Sequence, residues 1–273
     1  MIFDAGNAIE SEIERDGYAV SHMLLEPSRI AAARRVAEQK AGAETSELLA
    51  TEILANEVLL ETIFNADTLG AVRAVLGDRF QIFPNFTLRA NVTTPWHADR
   101  AFVSIPRKIE SQHRIFLQCG IYLQDNDQQC GGGLDVRPGS HEILRSMRTR
   151  NRLLRDAMSY ARSMSFPPKT LMTNSCDMMM WDGRIFHRGT PSRQKMQRGK
   201  YALYFSATKY CDEHADYYLS YLHEKALKRK EISSINRMRF SDMANISYSN
   251  DFPDEVRNLI QSFGGVVRTM SGS

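Results

Sequence analysis

The sequence lacks several features that define whole classes of protein. No stretch approaches the roughly 18 consecutive apolar residues of a membrane-spanning helix, so we predict no membrane partner. The first residues, MIFDAGNAIESEIERDG, carry acids where a secretory signal carries a basic region and an apolar run. The four cysteines, Cys119, Cys130, Cys176 and Cys211, form no C-x-x-C pair, which gives no support for a zinc ribbon or a redox dithiol. We therefore expect a cytoplasmic protein.

An excess of charge of one sign is also lacking. The 273 residues include 35 Lys and Arg against 32 Asp and Glu, which gives a net charge of +3. So small an excess does not indicate nucleic-acid binding, and we predict no nucleic-acid partner. The content of 42% hydrophobic residues is that of a globular protein, and neither a repeat nor a low-complexity linker divides the chain. A single domain over residues 1–273 is the simplest expectation.

What the sequence does contain is a helical opening followed by a strand-rich middle. Apolar spacing predicts helices over 7–16, 28–41 and 46–77, with Ser28 as an N-cap and a second helix starting near Asp67. From about residue 80, short runs of β-branched and aromatic residues alternate with turn residues, which favours a β-sandwich or barrel. These predicted strands are FQIFPNFTLRANV, RAFVSI, RIFLQCGIYLQ, GLDVRPGS, DMMMWDG and KYALYFSAT.

The first chemical motif is TPWHADR, residues 94–100. His97 and Asp99 are two residues apart, and on an extended strand such residues project from the same face. One imidazole and one carboxylate can therefore reach a single metal ion. Seven histidines and 32 acids produce about one such pair by chance in a chain of this length, so the motif alone is a weak signal.

A second motif, WDGRIFHRGTP, contains His187 after a turn and a short apolar run. Taken alone, His187 is more simply a buried structural histidine. Together with His97 and Asp99 it completes the facial triad of non-haem iron(II) oxygenases, which leaves positions on the metal open. His141, in the glycine-rich segment GGGLDVRPGSHE, is the rival metal ligand, although a hydrogen-bonded structural role is the simpler interpretation.

A third motif, RQKMQRGKYALYF at 193–205, places several cations between His187 and an apolar strand. A solvated basic turn is one interpretation. The other is a guanidinium directed into a barrel, because the planar fork of arginine donates two parallel hydrogen bonds to a carboxylate.

The order of these motifs resembles the phytanoyl-CoA dioxygenase family, which includes ectoine hydroxylases and many bacterial tailoring oxygenases. His97-x-Asp99, GGGLDVRPGSH, DGRIFHRG and Arg198 follow one another within about residues 80–207. The resemblance implies a mainly β fold with flanking helices, a double-stranded β-helix or cupin-like jelly roll. The implied parts are a helical N-terminal part at about 1–78, a jelly-roll core at about 79–208 and a C-terminal helical part at about 209–273.

The same resemblance implies roles for individual residues. His97, Asp99 and His187 match the iron ligands. Arg198, eleven residues after His187, matches the arginine that pairs with the distal carboxylate of 2-oxoglutarate, and Arg193 is its rival.

The segment Arg89-Ala-Asn91 is similar to an Arg-x-Asn that contacts 2-oxoglutarate in ectoine hydroxylases. We place Asn91 ahead of Arg89 as a cosubstrate-binding residue.

The implied cofactors are Fe(II), 2-oxoglutarate as a cosubstrate and O2. The implied reaction is hydroxylation of an aliphatic carbon of a small or carrier-linked metabolite, with release of succinate and CO2. Asp99 stands where halogenating relatives have a small residue, which favours hydroxylation. A non-catalytic jelly-roll binding module and a nucleic-acid repair oxygenase stay open as alternatives.

Two predicted helical segments bear on what the protein binds. A predicted helical segment at about 142–163 carries a stripe of arginines at helical spacing. These are Arg145, Arg148, Arg152 and Arg155. A solvated charged face is one interpretation, and a docking surface for an anionic or carrier-linked small molecule is the other. A second predicted helical segment, 213–231, has three interpretations: a lid, a dimer helix or a helix packed on the barrel. A homodimer is therefore one of the alternatives.

Overall fold

The helices of the chain surround a strand-rich centre. In this computed structural model the described residues are 3–41, 46–99, 116–127, 132–146, 152–190, 199–236 and 252–269. Their helices are α1 (Phe3–Asp16), α2 (Pro27–Ala41), α3 (Ala50–Leu54), α4 (Glu57–Ile63), α5 (Ala66–Leu76), α6 (His141–Ser146), α7 (Arg152–Ser163), α8 (Asp212–Asn236) and α9 (Asp254–Ser262). Their strands are β1 (Tyr18–Ser21), β2 (Ser46–Leu48), β3 (Phe80–Ile82), β4 (Thr87–Ala90), β5 (Phe116–Tyr122), β6 (Leu134–Val136), β7 (Lys169–Leu171), β8 (Met178–Asp182), β9 (His187–Gly189), β10 (Tyr201–Lys209) and β11 (Gly265–Val267).

Two sheets form the centre of the molecule. The main sheet has the order β1-β8-β5-β10-β3-β11, and β4 pairs with both β10 and β2. The small sheet has the order β7-β6-β9. Every pairing of the described strands is antiparallel except that of β11 with β3. The architecture is therefore the mainly antiparallel one, with flanking helices, that the sequence predicts.

The main sheet packs a different set of side chains on each face, because successive residues of a strand point to opposite sides. On β10, Leu203 and Phe205 belong to the large apolar cluster that also contains buried residues of α2 to α5. Ala202 instead packs in a second cluster with Leu134 and Val136 of the small sheet. The space between the two sheets is thus separate from the helix-packed core.

The prediction of helix throughout 46–77 is wrong at its start and underestimates the number of helices. The segment begins with β2, and then contains three helices. Asn56 Oδ1 accepts a hydrogen bond from Leu59 N at 3.1 Å, and Asn65 Oδ1 accepts one from Thr68 N at 3.0 Å. Each asparagine satisfies an amide of the first helical turn and so begins a new helix. The predicted second start near residue 67 corresponds to α5.

The other predicted helices are present with shifted ends. Helix α2 begins at Pro27, so Ser28 lies within the helix and the N-cap prediction is wrong. Proline is favoured at a first helical position because its missing N–H has no partner there anyway. The predicted segment 213–231 lies within α8, and the predicted segment 142–163 overlaps α6 and contains α7.

Strands from beyond the predicted core also join the main sheet. Five of the six predicted strand segments contain a strand or two, and RAFVSI lies outside the described residues. Strands β1, β2 and β11 come from outside 79–208 and still pair in the main sheet. Among the residues described above, no helix is both long enough and apolar enough to cross a bilayer.

Candidate metal centre

Two backbone segments bring His97, Asp99 and His187 together. His97 N donates to the His187 carbonyl at 2.9 Å, and His187 N donates to the His97 carbonyl at 2.8 Å. Asp99 N donates to the Gly183 carbonyl at 2.8 Å. One ligand atom from each of the three side chains lies within 4.8 Å of the others. In the described ranges, this is the group of His, Cys, Asp or Glu residues that could hold a metal ion.

Backbone carbonyls orient both imidazoles. His187 Nδ1 lies 3.0 Å from the Ile185 carbonyl oxygen, and His97 Nδ1 lies 2.7 Å from that of Pro95. A carbonyl accepts but cannot donate, so Nδ1 carries a proton in each ring, and in the neutral imidazole Nε2 is then the nitrogen with the lone pair. Such bonds to the second ring nitrogen are typical of metal-ligating histidines.

The electrostatics of His187 also suit a metal ligand. Burial lowers the pKa of His187 to about 4; the Asp99 carboxylate opposes that shift and His97 adds to it. At neutral pH the imidazole is therefore uncharged, which is the form that binds metals. Two imidazoles and one carboxylate are a donor set that iron(II) accepts, with coordination positions left open.

His141, the rival ligand of the sequence analysis, lies apart from this group. Its Nε2 is 3.1 Å from the Glu14 carbonyl oxygen and 3.3 Å from Glu142 Oε1. A Cβ added at Gly17 would lie 2.6 Å from its Nδ1, so the ring packs closely against the turn between α1 and β1.

Several predicted residues lie outside the described part of the chain. Arg193 and Arg198, the two predicted partners of the distal carboxylate of 2-oxoglutarate, are among them. So is Arg148 of the arginine stripe, and so are the side chains of Arg145, Arg152 and Arg155 in α6 and α7.

Asn91 fastens the beginning of β10. Its backbone N donates to the Lys200 carbonyl at 2.7 Å, and its Oδ1 accepts from Lys200 N at 2.8 Å. Its φ of 56° lies in the left-handed region, which asparagine adopts more readily than most residues. The described contacts of Asn91 therefore hold the backbone of Lys200.

Arg89 has an acidic partner within the protein. Its Nε donates to Glu47 Oε1 at 3.0 Å, and its guanidinium carbon lies 5.5 Å from the centroid of the Tyr204 ring. Glu47 comes from β2, in a segment that the sequence predicts as helix, so this ion pair could not be predicted from the sequence.

Aromatic side chains missed by the sequence analysis lie beside the group. The centroid of the Trp181 ring is 5.6 Å from that of His187, and the buried Trp181 Nε1 has no hydrogen-bond partner among the described residues. The hydroxyls of Tyr122 and Tyr204 are hydrogen-bonded at 3.0 Å. A Cβ at Gly120 would lie 3.1 Å from the Trp181 and Tyr204 rings, so glycine permits this packing. An unsatisfied buried indole N–H suits a site that receives a polar ligand.

A buried lysine faces the same interior. Lys200 is only 6% exposed; its Nζ donates to the Val92 carbonyl at 3.4 Å and lies 5.8 Å from the Tyr122 ring centroid. Burial lowers the pKa of Lys200 to about 8, Arg89 adds to that shift, and Asp135 opposes it. The sequence signal for this residue is its two-residue periodicity with Ala202 and Tyr204 on β10.

A polar cluster lies further along the same face of β10. Ser206 Oγ donates to Gln118 Oε1 at 2.7 Å. Asn85 Nδ2 donates to Ser206 Oγ at 2.9 Å and to the Tyr218 hydroxyl at 2.8 Å, while its buried Oδ1 has no partner among the described residues. Burial raises the pKa of Tyr218, the hydrogen bond with Ser206 opposes that shift, and the Asp99 carboxylate adds to it.

Several solved structures are similar to the chain in fold. The non-heme alpha-ketoglutarate dependent epimerase SnoN from nogalamycin biosynthesis superposes with a TM-score of 0.58 at 16% identity, over 76% of this chain and 84% of that one. HygX from Streptomyces hygroscopicus, with nickel and 2-oxoglutarate bound, superposes with a TM-score of 0.54 at 14% identity, over 74% of this chain and 86% of HygX. EctD from S. alaskensis, with bound Fe, superposes with a TM-score of 0.51 at 18% identity, over 73% of this chain and 75% of EctD.

These likenesses show the fold, and the predicted jelly roll with flanking helices is confirmed. No curated protein matches the chain significantly in sequence. The family described as phytanoyl-CoA dioxygenase (PhyH) matches residues 13–199, which is more than half of the chain and includes the whole His97, Asp99 and His187 group. The chain therefore belongs to the phytanoyl-CoA dioxygenase family.

Proposed function

We propose that this chain is an Fe(II)- and 2-oxoglutarate-dependent dioxygenase in which His97, Asp99 and His187 hold the iron. The observation that carries the proposal is the grouping of their ligand atoms within 4.8 Å of one another. Iron bound there, with 2-oxoglutarate and O2, would supply the oxidising chemistry, with succinate and CO2 as by-products. Family membership supports the same cofactors.

The protein's own residues hold and shield the reacting groups. The Ile185 and Pro95 carbonyls keep the two imidazoles in the orientation in which Nε2 is free to bind. Trp181 packs beside His187 and presents an unsatisfied N–H to the interior, where a carboxylate or a keto oxygen would accept its hydrogen bond.

Cosubstrate binding involves further residues in this proposal. Arg198 pairs with the distal carboxylate of 2-oxoglutarate, as the resemblance implies. Asn91 acts indirectly, since it holds the backbone of Lys200 at the start of β10. Arg89, already paired with Glu47, contributes positive charge to the interior rather than a free guanidinium.

We further propose that the substrate is a small or carrier-linked metabolite and that an aliphatic carbon is hydroxylated. The acceptor Oδ1 of Asn85 would receive a hydroxyl or amino group of such a substrate. Proteins of similar fold include an epimerase and a carbocyclase, so the fold alone does not determine the oxidative outcome. The free thiols of Cys119, Cys176 and Cys211 are consistent with a cytoplasmic enzyme.

The test is an anaerobic titration of Fe(II) and 2-oxoglutarate into apo-protein, followed through the weak visible metal-to-ligand absorption band. We expect the band with wild type and its loss in His187→Ala. His22→Ala is the matched control, because the His22 side chain is 67% exposed and paired with Asp177 away from the group. A folded wild type that binds metal yet gives no band would contradict the proposal and favour the binding-module alternative.

A further inference from the structure

The ammonium group of Lys200 is buried with few interactions. Its one hydrogen bond to a described residue is the 3.4 Å contact with the Val92 carbonyl. Asp135, an acid that interacts electrostatically with it, already accepts from Arg188 Nε at 2.8 Å and from Thr190 Oγ1 at 2.9 Å. A buried cation normally has a counter-charge and several acceptors. Lys200 therefore has capacity left for an anion.

The ammonium group of Lys200 lies beside β9, two residues along the strand from His187. Gly189 follows His187 by two residues on β9, so the two share a face at a separation of about 6.6 Å. A Cβ added at Gly189 would lie 3.5 Å from Lys200 Nζ and 3.3 Å from Thr94 N. The four C–C bonds between the carboxylate carbons of a five-carbon diacid span about 5 Å. Glycine at 189 keeps open the space between these two ends.

Hydrogen bonds also hold the backbone of Lys200 in place. Asn91 bonds both the N–H and the carbonyl of Lys200, so the backbone is held on both sides. The Tyr122 ring, whose centroid is 5.8 Å from Nζ, packs beside the ammonium group. A cation that is held in place before the ligand arrives costs little further ordering when the ligand binds.

We propose that Lys200 binds the distal carboxylate of the 2-oxo acid whose other end meets the His97, Asp99 and His187 group, an inference that rests on the proposed function. The family resemblance assigns this carboxylate to Arg198, and Lys200 is a second cation that the resemblance does not supply. Its role is electrostatic pairing, and no covalent step is involved.

The experiment compares two ligands that differ only at the distal end, 2-oxoglutarate and 2-oxopentanoate. Dissociation constants come from the visible band in anaerobic titrations of the Fe(II)-loaded protein. A lost charge-assisted hydrogen bond predicts about 10- to 100-fold weaker binding of 2-oxoglutarate by Lys200→Met. Binding of 2-oxopentanoate should change less than about twofold, and Lys200→Arg should restore most of the 2-oxoglutarate affinity.

Two further variants serve as controls. Lys209→Met removes an exposed lysine from the far end of the same strand and should leave both constants unchanged. Lys200→Gln keeps a donor for the Val92 carbonyl without the charge, and should show the same selective loss if Lys200→Met does not fold.

Each remaining outcome separates the two proposals. An unchanged 2-oxoglutarate constant in folded Lys200→Met overturns the role of Lys200 and leaves the proposed function intact. An equal loss for both ligands also overturns it, because the lysine would then act by positioning the Val92–Thr94 segment. A wild type that binds metal but gives no band with either ligand overturns the proposed function and this inference together.

Discussion

The two faces of β10 show how one strand serves two purposes. Leu203 and Phe205 point into the helix-packed core, where they are buried among apolar side chains. Tyr204 and Ser206 alternate with them on the opposite face, Lys200 precedes the strand on that same side, and all three are polar.

The face toward the helices, called here the outer face, is satisfied by apolar packing alone, since dispersion and burial need no partner of specific geometry. The opposite face is called the inner face. The side chains that line the inner face with these polar residues include two buried polar atoms without a partner among the described residues, Trp181 Nε1 and Asn85 Oδ1. Such atoms are costly in a folded protein unless a ligand supplies the partner.

The largest expected effect is the loss of turnover when Asp99 of the candidate metal group is replaced. Asp99→Ala removes the carboxylate of the metal group, and we expect turnover to fall by more than the roughly 10- to 100-fold that loss of a metal's outer-shell partner causes. Succinate formation from 2-oxoglutarate measures it. Asp125→Ala, an acid whose Oδ1 accepts from Ser175 N away from the group, is the control. Activity at the wild-type level would remove Asp99 from the site.

A substitution on the outer face of β10 should change the stability of the protein rather than its catalytic activity. Phe205 is 1% exposed and its ring centroid lies 6.1 Å from that of Phe64. Phe205→Ala should lower the free energy of unfolding by about 3–5 kcal/mol, as for other buried phenylalanines. Urea unfolding measures it, and Met172→Ala, at a 48% exposed side chain, should have little effect. A Phe205→Ala protein of unchanged stability would contradict the division between the two faces.

In the apo-protein, replacing Lys200 should raise the free energy of unfolding, whereas replacing Phe205 should lower it. Its pKa falls from 10.5 to about 8 on folding, so below pH 8 burial of the charged form opposes folding. The penalty is relieved as the pH rises from about 8 to 10.5, where the unfolded chain binds more protons. Lys200→Met should therefore raise the free energy of unfolding at pH 7 by up to about 3 kcal/mol and remove that part of the pH dependence.

Arg89 and Asp135 act on Lys200 in opposite directions, and both are present in either protein, so the difference between wild type and Lys200→Met isolates the lysine. Urea unfolding of both proteins at pH 7, 9 and 10 is the measurement. A destabilised Lys200→Met protein at pH 7 would show that the lysine is fully compensated in the apo state.

The smallest expected effect concerns the tyrosine pair. Tyr122→Phe removes the hydroxyl that is hydrogen-bonded to Tyr204 at 3.0 Å, and should lower the free energy of unfolding by about 1 kcal/mol. Tyr204→Phe should cost a similar amount, and the double variant should cost less than the sum of the two. Strict additivity in this cycle would indicate that the two hydroxyls do not interact.

Much of the metal group could be read from the sequence because its determinants are local. The two-residue spacing of His97 and Asp99 and the order of the motifs predicted three residues whose ligand atoms lie together. The strands from residue 80 onward were also predictable from alternation and turn residues. The helices between 46 and 77 were not, since two asparagine caps and a short strand interrupt the apolar spacing.

The sequence by itself predicted a strand-rich core, because alternation is a local pattern, and its motif order carried the resemblance to the family and to the three residues of the candidate metal group. Only the tertiary structure decided which side chains accompany the triad. Glu47 reaches Arg89 because β2 pairs with β4, and Lys200 Nζ lies beside Gly189 of the small sheet. Pairings between distant segments, and the burial that then shifts the pKa of a lysine, depend on three-dimensional neighbours that no local sequence pattern specifies.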